Sequence, residues 1–231
     1  GYEVNAVSIN TGGFSKIEIQ DIEKKAYQMG AHLYKNIDAL DPFYDKIVKY
    51  LIYGNVLRNN TYPLSVSAER IIQAVEIVTY AKAIGATYIA HGSTGAGNDQ
   101  VRFDMIFQVM APEIKIITLI RDNQLSREDE IEYLKTQGID VPWEKANYSI
   151  NQGLWGTSVG GSETLTSDLP LPDSAYPSPL KKEKEETVSL KFTHGELTEV
   201  NGETGSPVAL IQNLQERAKQ YAIGRDIHVG D

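Results

Sequence analysis

The sequence predicts a doubly wound parallel α/β sheet followed by a smaller α+β section. Three observations carry this expectation. Strand-length apolar stretches alternate with amphipathic helical stretches through residues 1–142. Several strand stretches are apolar throughout, as strands buried on both faces are. After about Val141 the chain turns rich in Gly, Ser, Thr, Asn and Pro, and a hairpin-like alternation replaces the helical period. The expected domains are therefore 1–142 and 143–231.

In chain order, EVNAVSIN (3–10) reads as a strand ending at Thr11-Gly12-Gly13. Residues 17–29 read as a helix with Ile22, Ala26 and Met29 on one face, and AHLYKNID (31–38) as a second strand. Asp41-Pro42 is placed to open a helix as N-cap and N1, with Phe43, Ile47, Tyr50 and Leu51 at helical spacing. Ser67 reads as the N-cap of a long helix to about Ala83, whose buried stripe is Ile71, Val75 and Val78. Gly85 ends it, and a strand at 86–90 leads into HGSTGAGNDQVRF (91–103). A helix at 98–110 follows, with Phe103, Ile106, Phe107 and Met110 at i, i+3, i+4, i+7. EIKIITLI (113–120) reads as a fully buried strand and 127–137 as a helix. Pro170, Pro172, Pro177 and Pro179 precede KKEKEE (181–186), read as a solvated loop. TVSLKF and LTEV form a hairpin around THGE, and Ser206-Pro207 caps a final helix with Leu210, Ile211, Leu214 and Ala218 inward.

Composition narrows the chemistry. The 231 residues carry no cysteine, so disulfides, thiolate metal sites and cysteine nucleophiles are excluded. Four scattered histidines lack H-x-x-x-H spacing, so no metal site is expected. The net charge of −9 repels a phosphate backbone, so no nucleic-acid partner is expected. No apolar run approaches the ~18 residues of a membrane span, no charged-then-apolar leader opens the chain, and the expected compartment is the cytoplasm. The chain starts inside an α/β pattern and ends at GRDIHVGD without a finished element, which reads as part of a longer protein.

The densest polar constellation is HGSTGAGNDQVRF. A loop leaving the C-terminal end of a parallel strand opens onto the crevice where α/β proteins bind ligands. Gly92, Gly95 and Gly97 let a ligand approach the backbone, with positive φ expected at some of them. The start of the next helix favours an anion or polarised oxygen. Thr94, Asn98 and Asp99 add side-chain contacts, and Asp99 and Arg102 share a helix face. A carboxylate with a guanidinium suits a zwitterion such as an amino acid, the acid meeting an ammonium and the arginine a carboxylate. The bland alternative is an Asn98 cap, a glycine turn and a surface ion pair. TYPLSVSAER (61–70) offers Tyr62 and Ser67, the latter as ligand donor or simple cap. NYSINQGLWGTSVGG offers Ser149 and Ser158, while Trp143 and Trp155 read as packing residues.

HGSTGAGNDQVRF closely resembles the H-G-x-T-G-x-G-N-D-x-x-R-F signature of argininosuccinate synthases. AVSINTGG, the Y-x-L-x-x-S-x-x-R at Tyr62 to Arg70, YSINQGLWGTS and AIGRDIHVGD agree with that family in order. The resemblance implies an N-type ATP pyrophosphatase (HUP-like) nucleotide-binding domain at 1–142 and part of a synthetase domain at 143–231. It implies an AMP-forming carbon–nitrogen ligase of arginine biosynthesis that joins L-citrulline to L-aspartate through a citrullyl-adenylate, releasing AMP and pyrophosphate. ATP is the nucleotide substrate, accompanied by Mg2+, and the full-length enzyme is a homotetramer. By position the resemblance puts Ile9, Ala90, His91, Gly92, Ser93, Thr94, Gly95, Ala96, Gly97 and Asn98 along ATP. It puts Thr94, Asn98 and Asp99 on aspartate, and Tyr62, Ser67, Asn98, Arg102, Ser149 and Ser158 on citrulline. No side-chain nucleophile is implied.

The family's S-G-G-x-D-T-S pyrophosphate loop, a later tyrosine and the C-terminal oligomerisation region lie outside this sequence. A citrulline-binding glutamate of some members aligns near Gly230, and Ala96 stands where many relatives have lysine. Residues 1–231 expressed alone are expected to be inactive. The alternative reading is a non-catalytic nucleotide- or amino-acid-binding module. A third, a tRNA-thiolating or amidotransferase-type adenylating enzyme, would be expected to show basic patches or cysteines, which this chain lacks.

Overall fold

The computed structural model describes residues 1–95, 97–139, 148–166 and 168–228, without the side chains of Arg127 and Ser162. In chain order its elements are β1 (Asn5–Asn10), α1 (Lys16–Gln28), β2 (Leu33–Asp38), α2 (Leu40–Phe43), a π-helical stretch (Tyr44–Val48), α3 (Lys49–Tyr53) and α4 (Ser65–Ala83). Then come β3 (Tyr88–Ala90), α5 (Asp99–Met110), β4 (Lys115–Ile117), α6 (Leu119–Asp122) and α7 (Arg127–Thr136). The rest comprises β5 (Tyr148–Gly153), β6 (Gly156–Gly161), β7 (Leu190–Thr193), β8 (Glu196–Val200), β9 (Glu203–Thr204) and α8 (Pro207–Gln220), with short 3-10 turns at Ser162–Leu165 and Asp173–Ala175.

The chain divides into two compact units, one of residues 1–39 and 67–145, the other of 40–66 and 146–231. The predicted break at 142/143 lies outside the described residues. Residues 40–66, placed by the sequence with the first domain, pack within the second unit.

In the first unit the strands are parallel, as expected from their βα order. β1 pairs with β2 from Asn5↔Leu33 to Asn10↔Asp38, and β3 with β4 from Tyr88↔Lys115 to Ala90↔Ile117. Among the described residues these are two separate two-stranded ribbons. Helix α1 starts at a capping box, Ser15 Oγ accepting from Glu18 N while the Glu18 carboxylate accepts from Ser15 N. α7 repeats the device with Ser126 and Asp129. The core is built from α4, β3, α5 and the segment entering β4: Ala74, Val78, Ala81, Ile89, Phe107, Ala111 and Ile114 are buried, with Phe103, Ile106 and Met110 against them. The predicted inner face of α5 is thus the observed one.

Three element readings are corrected. The long helix begins at Ser65, so Ser67 lies in its first turn, and its buried positions include Ala68, Ile72, Ala74, Val78 and Ala81 while Ile71 and Val75 are half-buried. A helix apolar on several sides gives no single stripe to read. EIKIITLI holds a strand only at Lys115–Ile117, half-buried at best, and the chain re-coils into α6 after Thr118. The predicted Asp41 cap is also displaced: α2 begins at Leu40, which puts Asp41 and Pro42 inside its first turn, where free N–H groups make proline harmless. The following π turn adds a residue and rotates the face, so Phe43, Tyr44 and Val48 are buried and Tyr50 is exposed.

In the second unit β5 and β6 form an antiparallel hairpin, and β7–β8–β9 form an antiparallel sheet. Leu197, Val200 and Leu210 join that sheet to α8, with Ile211 alongside. Ser206 caps α8 by accepting from Ala209 N, with Pro207 at N1 as read from the sequence. The run 181–186 is a loop, yet its Glu186 accepts from Tyr221 Oη at 2.8 Å and pairs with Arg217 at 2.9 Å.

Candidate functional site

The loop at 91–98 leaves the C-terminal end of β3 and runs into α5. Gly92, Thr94, Gly95, Gly97 and Asn98 are exposed, while His91 and Ser93 are half-buried. Ala96 lies outside the described residues. Neither Gly92 nor Gly95 has the positive φ that the sequence suggested for some of these glycines. A Cβ at Gly92 would stand 3.9 Å from Ile120 Cγ1, one at Gly95 3.7 Å from Arg121 Cγ, and one at Gly97 in open space. Neither backbone strain nor internal crowding requires glycine there. Their common property is exposure without a side chain, which suits close approach of a ligand to the backbone. Beside the loop, Ala90, His91, Gly92, Ile117, Leu119 and Ile120 line a cleft of about 310 Å3 at the C-terminal ends of β3 and β4.

His91 turns its ring inward, 5.6 Å from Phe103 and 6.0 Å from Phe107. Ile9 is buried in β1. Just beyond, Asn10 Oδ1 accepts from Gly12 N at 3.0 Å and orders the turn, where Gly12 has φ 99°.

At the start of α5, Asn98 occupies the cap position in helical conformation and makes no side-chain cap bond, so capping does not explain it. Asp99 is gripped from two sides: Arg70 Nε donates to Oδ2 and Arg102 Nη1 to Oδ1, each at 3.0 Å. The sequence anticipated Arg102 as its partner and missed Arg70. The available signal was the last position of Y-x-L-x-x-S-x-x-R, one helical turn after Ser67. Two guanidiniums on one carboxylate leave a net positive cluster, suited to a carboxylate ligand. Each Asp99 oxygen keeps a second lone pair that an ammonium can use. Arg70 also donates to Gln73 Oε1 at 3.2 Å, which sets its plane.

Glu69 is 3% exposed, Oε1 has no hydrogen-bond partner, and burial pushes its carboxyl up to about 7 despite the adjacent Arg70 charge. Nothing in the sequence pattern singled it out.

Within the second unit, Tyr62 follows a tight turn in which Asn59 and Asn60 both have positive φ and Arg58 N donates to Tyr62 O at 2.8 Å. Tyr62 Oη accepts from Val66 N at 3.1 Å, and its ring stacks on His228 at 4.9 Å. Ser149 pairs with Gly160 and Ser158 with Asn151, which places the two serines on one face of the β5–β6 hairpin. Trp155 at its tip donates Nε1 to Pro63 O at 3.0 Å, joining the hairpin to the Tyr62 segment. Trp155 is thus the packing residue that the sequence suggested, and Trp143 lies outside the described residues. Among the described residues no cluster of three or more His, Asp or Glu suits a metal ion, and no helix is long and apolar enough to cross a membrane.

Residues 1–140 match the family model of the argininosuccinate synthase N-terminal HUP domain, an α/β nucleotide-binding fold. The argininosuccinate synthase of Methanocaldococcus jannaschii is 38% identical over 228 residues, covering 97% of this chain and 57% of its own length. Those of Pyrococcus furiosus and Oenococcus oeni are 35% and 38% identical, covering 100% and 99% of this chain and 56% and 57% of theirs. The chain therefore spans less than three fifths of the curated relatives it matches. On the family model and this breadth of likeness, the chain belongs to the argininosuccinate synthase family.

Proposed function

We propose that this chain carries the nucleotide- and amino-acid-binding part of an argininosuccinate synthase. The observation that carries this reading is the Arg70–Asp99–Arg102 cluster at the head of α5, directly after a glycine loop whose outer backbone is exposed. ATP lies along the backbone of Ala90–Asn98 with Mg2+ as part of the nucleotide substrate, and the adenosine end passes the backbone of Ile9. The two parallel ribbons belong to one doubly wound sheet, in a nucleotide-binding domain followed by a synthetase domain from about residue 143.

The reaction needs placement and charge stabilisation and no side-chain nucleophile. The ureido oxygen of citrulline attacks the α-phosphorus of ATP; the P–O bond to pyrophosphate breaks, and pyrophosphate leaves with that electron pair. The aspartate amine then attacks the activated ureido carbon, loses a proton and expels AMP, giving argininosuccinate. Thr94, Asn98 and Asp99 hold aspartate, Asp99 accepting from its ammonium. Arg102 meets the citrulline carboxylate, and Tyr62, Ser67, Asn98, Ser149 and Ser158 complete that set. Arg70 joins the assignment by fixing Asp99. The working protein is a cytoplasmic homotetramer.

Calorimetric titration tests the assignment. Asp99→Ala is expected to weaken aspartate binding, and Arg102→Ala citrulline binding, each by about tenfold or more, the scale of a lost charge-assisted hydrogen bond. Arg70→Ala is expected to weaken aspartate binding less, because it acts through Asp99. Binding of both amino acids at unchanged affinity in the first two variants overturns the assignment.

A further inference from the structure

A second ionic cluster ties the loop to α5 and α6. Asp104, in the second turn of α5, has both carboxylate oxygens engaged. Oδ1 meets His91 Nε2 at 3.1 Å, and Oδ2 accepts from Arg121 Nη1. His91 Nδ1 accepts from Ser93 N at 3.4 Å, so the ring proton belongs on Nε2, directed at Asp104. Arg121, on α6, reaches further. The same Nη1 donates to Gln100 Oε1 at 3.1 Å and Nη2 to Thr118 Oγ1 at 2.9 Å, while Thr118, 1% exposed, donates to Asp122 Oδ1 at 2.8 Å. With its oxygen turned to Arg121, the Gln100 amide presents Nε2 to Gly95 O at 2.7 Å. A guanidinium on one strand–helix connection thus sets two points of the other: the His91 ring at the start of the loop and the Gly95 carbonyl in its middle.

We propose that Asp104 and Arg121 are positioning residues for the 91–95 stretch of the loop. They hold its backbone ready for the nucleotide without touching the ligand. This rests on the reading above in taking the ligand to be ATP. The physical case has three parts. The fixed His91 tautomer anchors the chain as it leaves β3. Binding the Gly95 carbonyl to the Gln100 amide offsets its partial negative charge, which would otherwise repel phosphate oxygens. Arg121 is matched by Asp104 and by Asp122, whose Oδ1 lies 3.6 Å from Nε, so its charge serves the loop and not the phosphates. The cluster joins the loop, α5 and α6 through side chains and the Gly95 carbonyl, and a planar fork of donors reaches Asp104, Gln100 and Thr118 together.

The test uses the whole chain with 15N-labelled histidine and backbone, comparing Asp104→Asn, Arg121→Gln, their combination, and Arg121→Lys. In the parent chain the His91 15N shifts are expected to show the Nε2–H tautomer. In Asp104→Asn a mixture is expected, and in both single variants the Gly95 amide exchanges about tenfold faster while Val78 and Ile116 in the core keep their rates. ATP affinity by calorimetry is expected to fall about five- to twentyfold in each single variant and no further in the combination, because both act through one loop. Arg121→Lys separates positioning from bulk stability. Its ammonium keeps the charge on Asp104 and restores the His91 tautomer, yet it cannot also hold Gln100, so Gly95 exchange stays fast. Unchanged tautomer and loop exchange overturn the proposal, as does parent-like ATP affinity despite faster loop exchange. Faster core exchange in step with the loop makes the cluster a general stabiliser and also overturns it. A parent chain that binds no ATP sinks the nucleotide reading, while tautomer and loop exchange still decide whether the clamp exists.

Discussion

Glu69 illustrates how one side chain can make stability depend on pH. Its carboxyl is buried with Oε1 unpartnered and is raised to about 7, whereas in the unfolded chain it titrates near 4.5. Between those values the folded state holds a proton that the unfolded state has released, so stability falls as pH rises through the window and is flat above it. The full cost reaches up to about 3 kcal/mol. Glu69→Gln removes the titration, so it is expected to match the parent near pH 4 and exceed it in urea denaturation at pH 8. A gap that is the same at both pH values contradicts this. Arg70 and Asp99, by contrast, satisfy each other in the fold as a charge-assisted pair at 3.0 Å. Leu64, with φ 56°, holds a left-handed conformation that leucine rarely adopts, two residues from Tyr62.

At the scale of elements, local chemistry that satisfies end groups was readable. The Ser206-Pro207 start of α8, the inner face of α5 and the β7–β8 hairpin follow from caps, period and turn residues. That hairpin turns at His194-Gly195 with positive φ at both, the primed geometry that matches strand twist. A Cβ at Gly195 would come within 2.9 Å of Tyr53 Cε1, and φ there is 86°. Gly195→Ala is expected to cost about 1–2 kcal/mol through left-handed strain and ring displacement, measured by urea denaturation. A loss below half of that would mean the turn adopts another form. The α2–α3 stretch was misread because a π turn breaks the 3.6-residue period that the face of Phe43, Ile47, Tyr50 and Leu51 assumed. EIKIITLI was misread because an apolar run tells burial and not whether it is strand or helix.

On the scale of the whole molecule, each unit carries its own core, one centred on Phe107 and Val78, the other on Val200 and Leu210. Phe107 is 2% exposed and also backs the His91 ring, so Phe107→Ala is expected to cost about 3–5 kcal/mol and to loosen the loop start. Urea denaturation checks the first effect and amide exchange at Ser93 the second; a loss under about 1 kcal/mol would show that the site collapses around the cavity. The βα alternation, the glycine loop after β3, the Asp99–Arg102 pair and the family resemblance were all determined by the sequence itself, because period, caps and contiguous motifs act over a few residues. Only the tertiary structure decided that Arg70 grips Asp99 from 29 residues away, that Arg121 steers Gln100 and Asp104, and that residues 40–66 pack with the second unit. Those contacts join residues distant in the chain, and no local period or turn signal encodes which distant side chain will arrive.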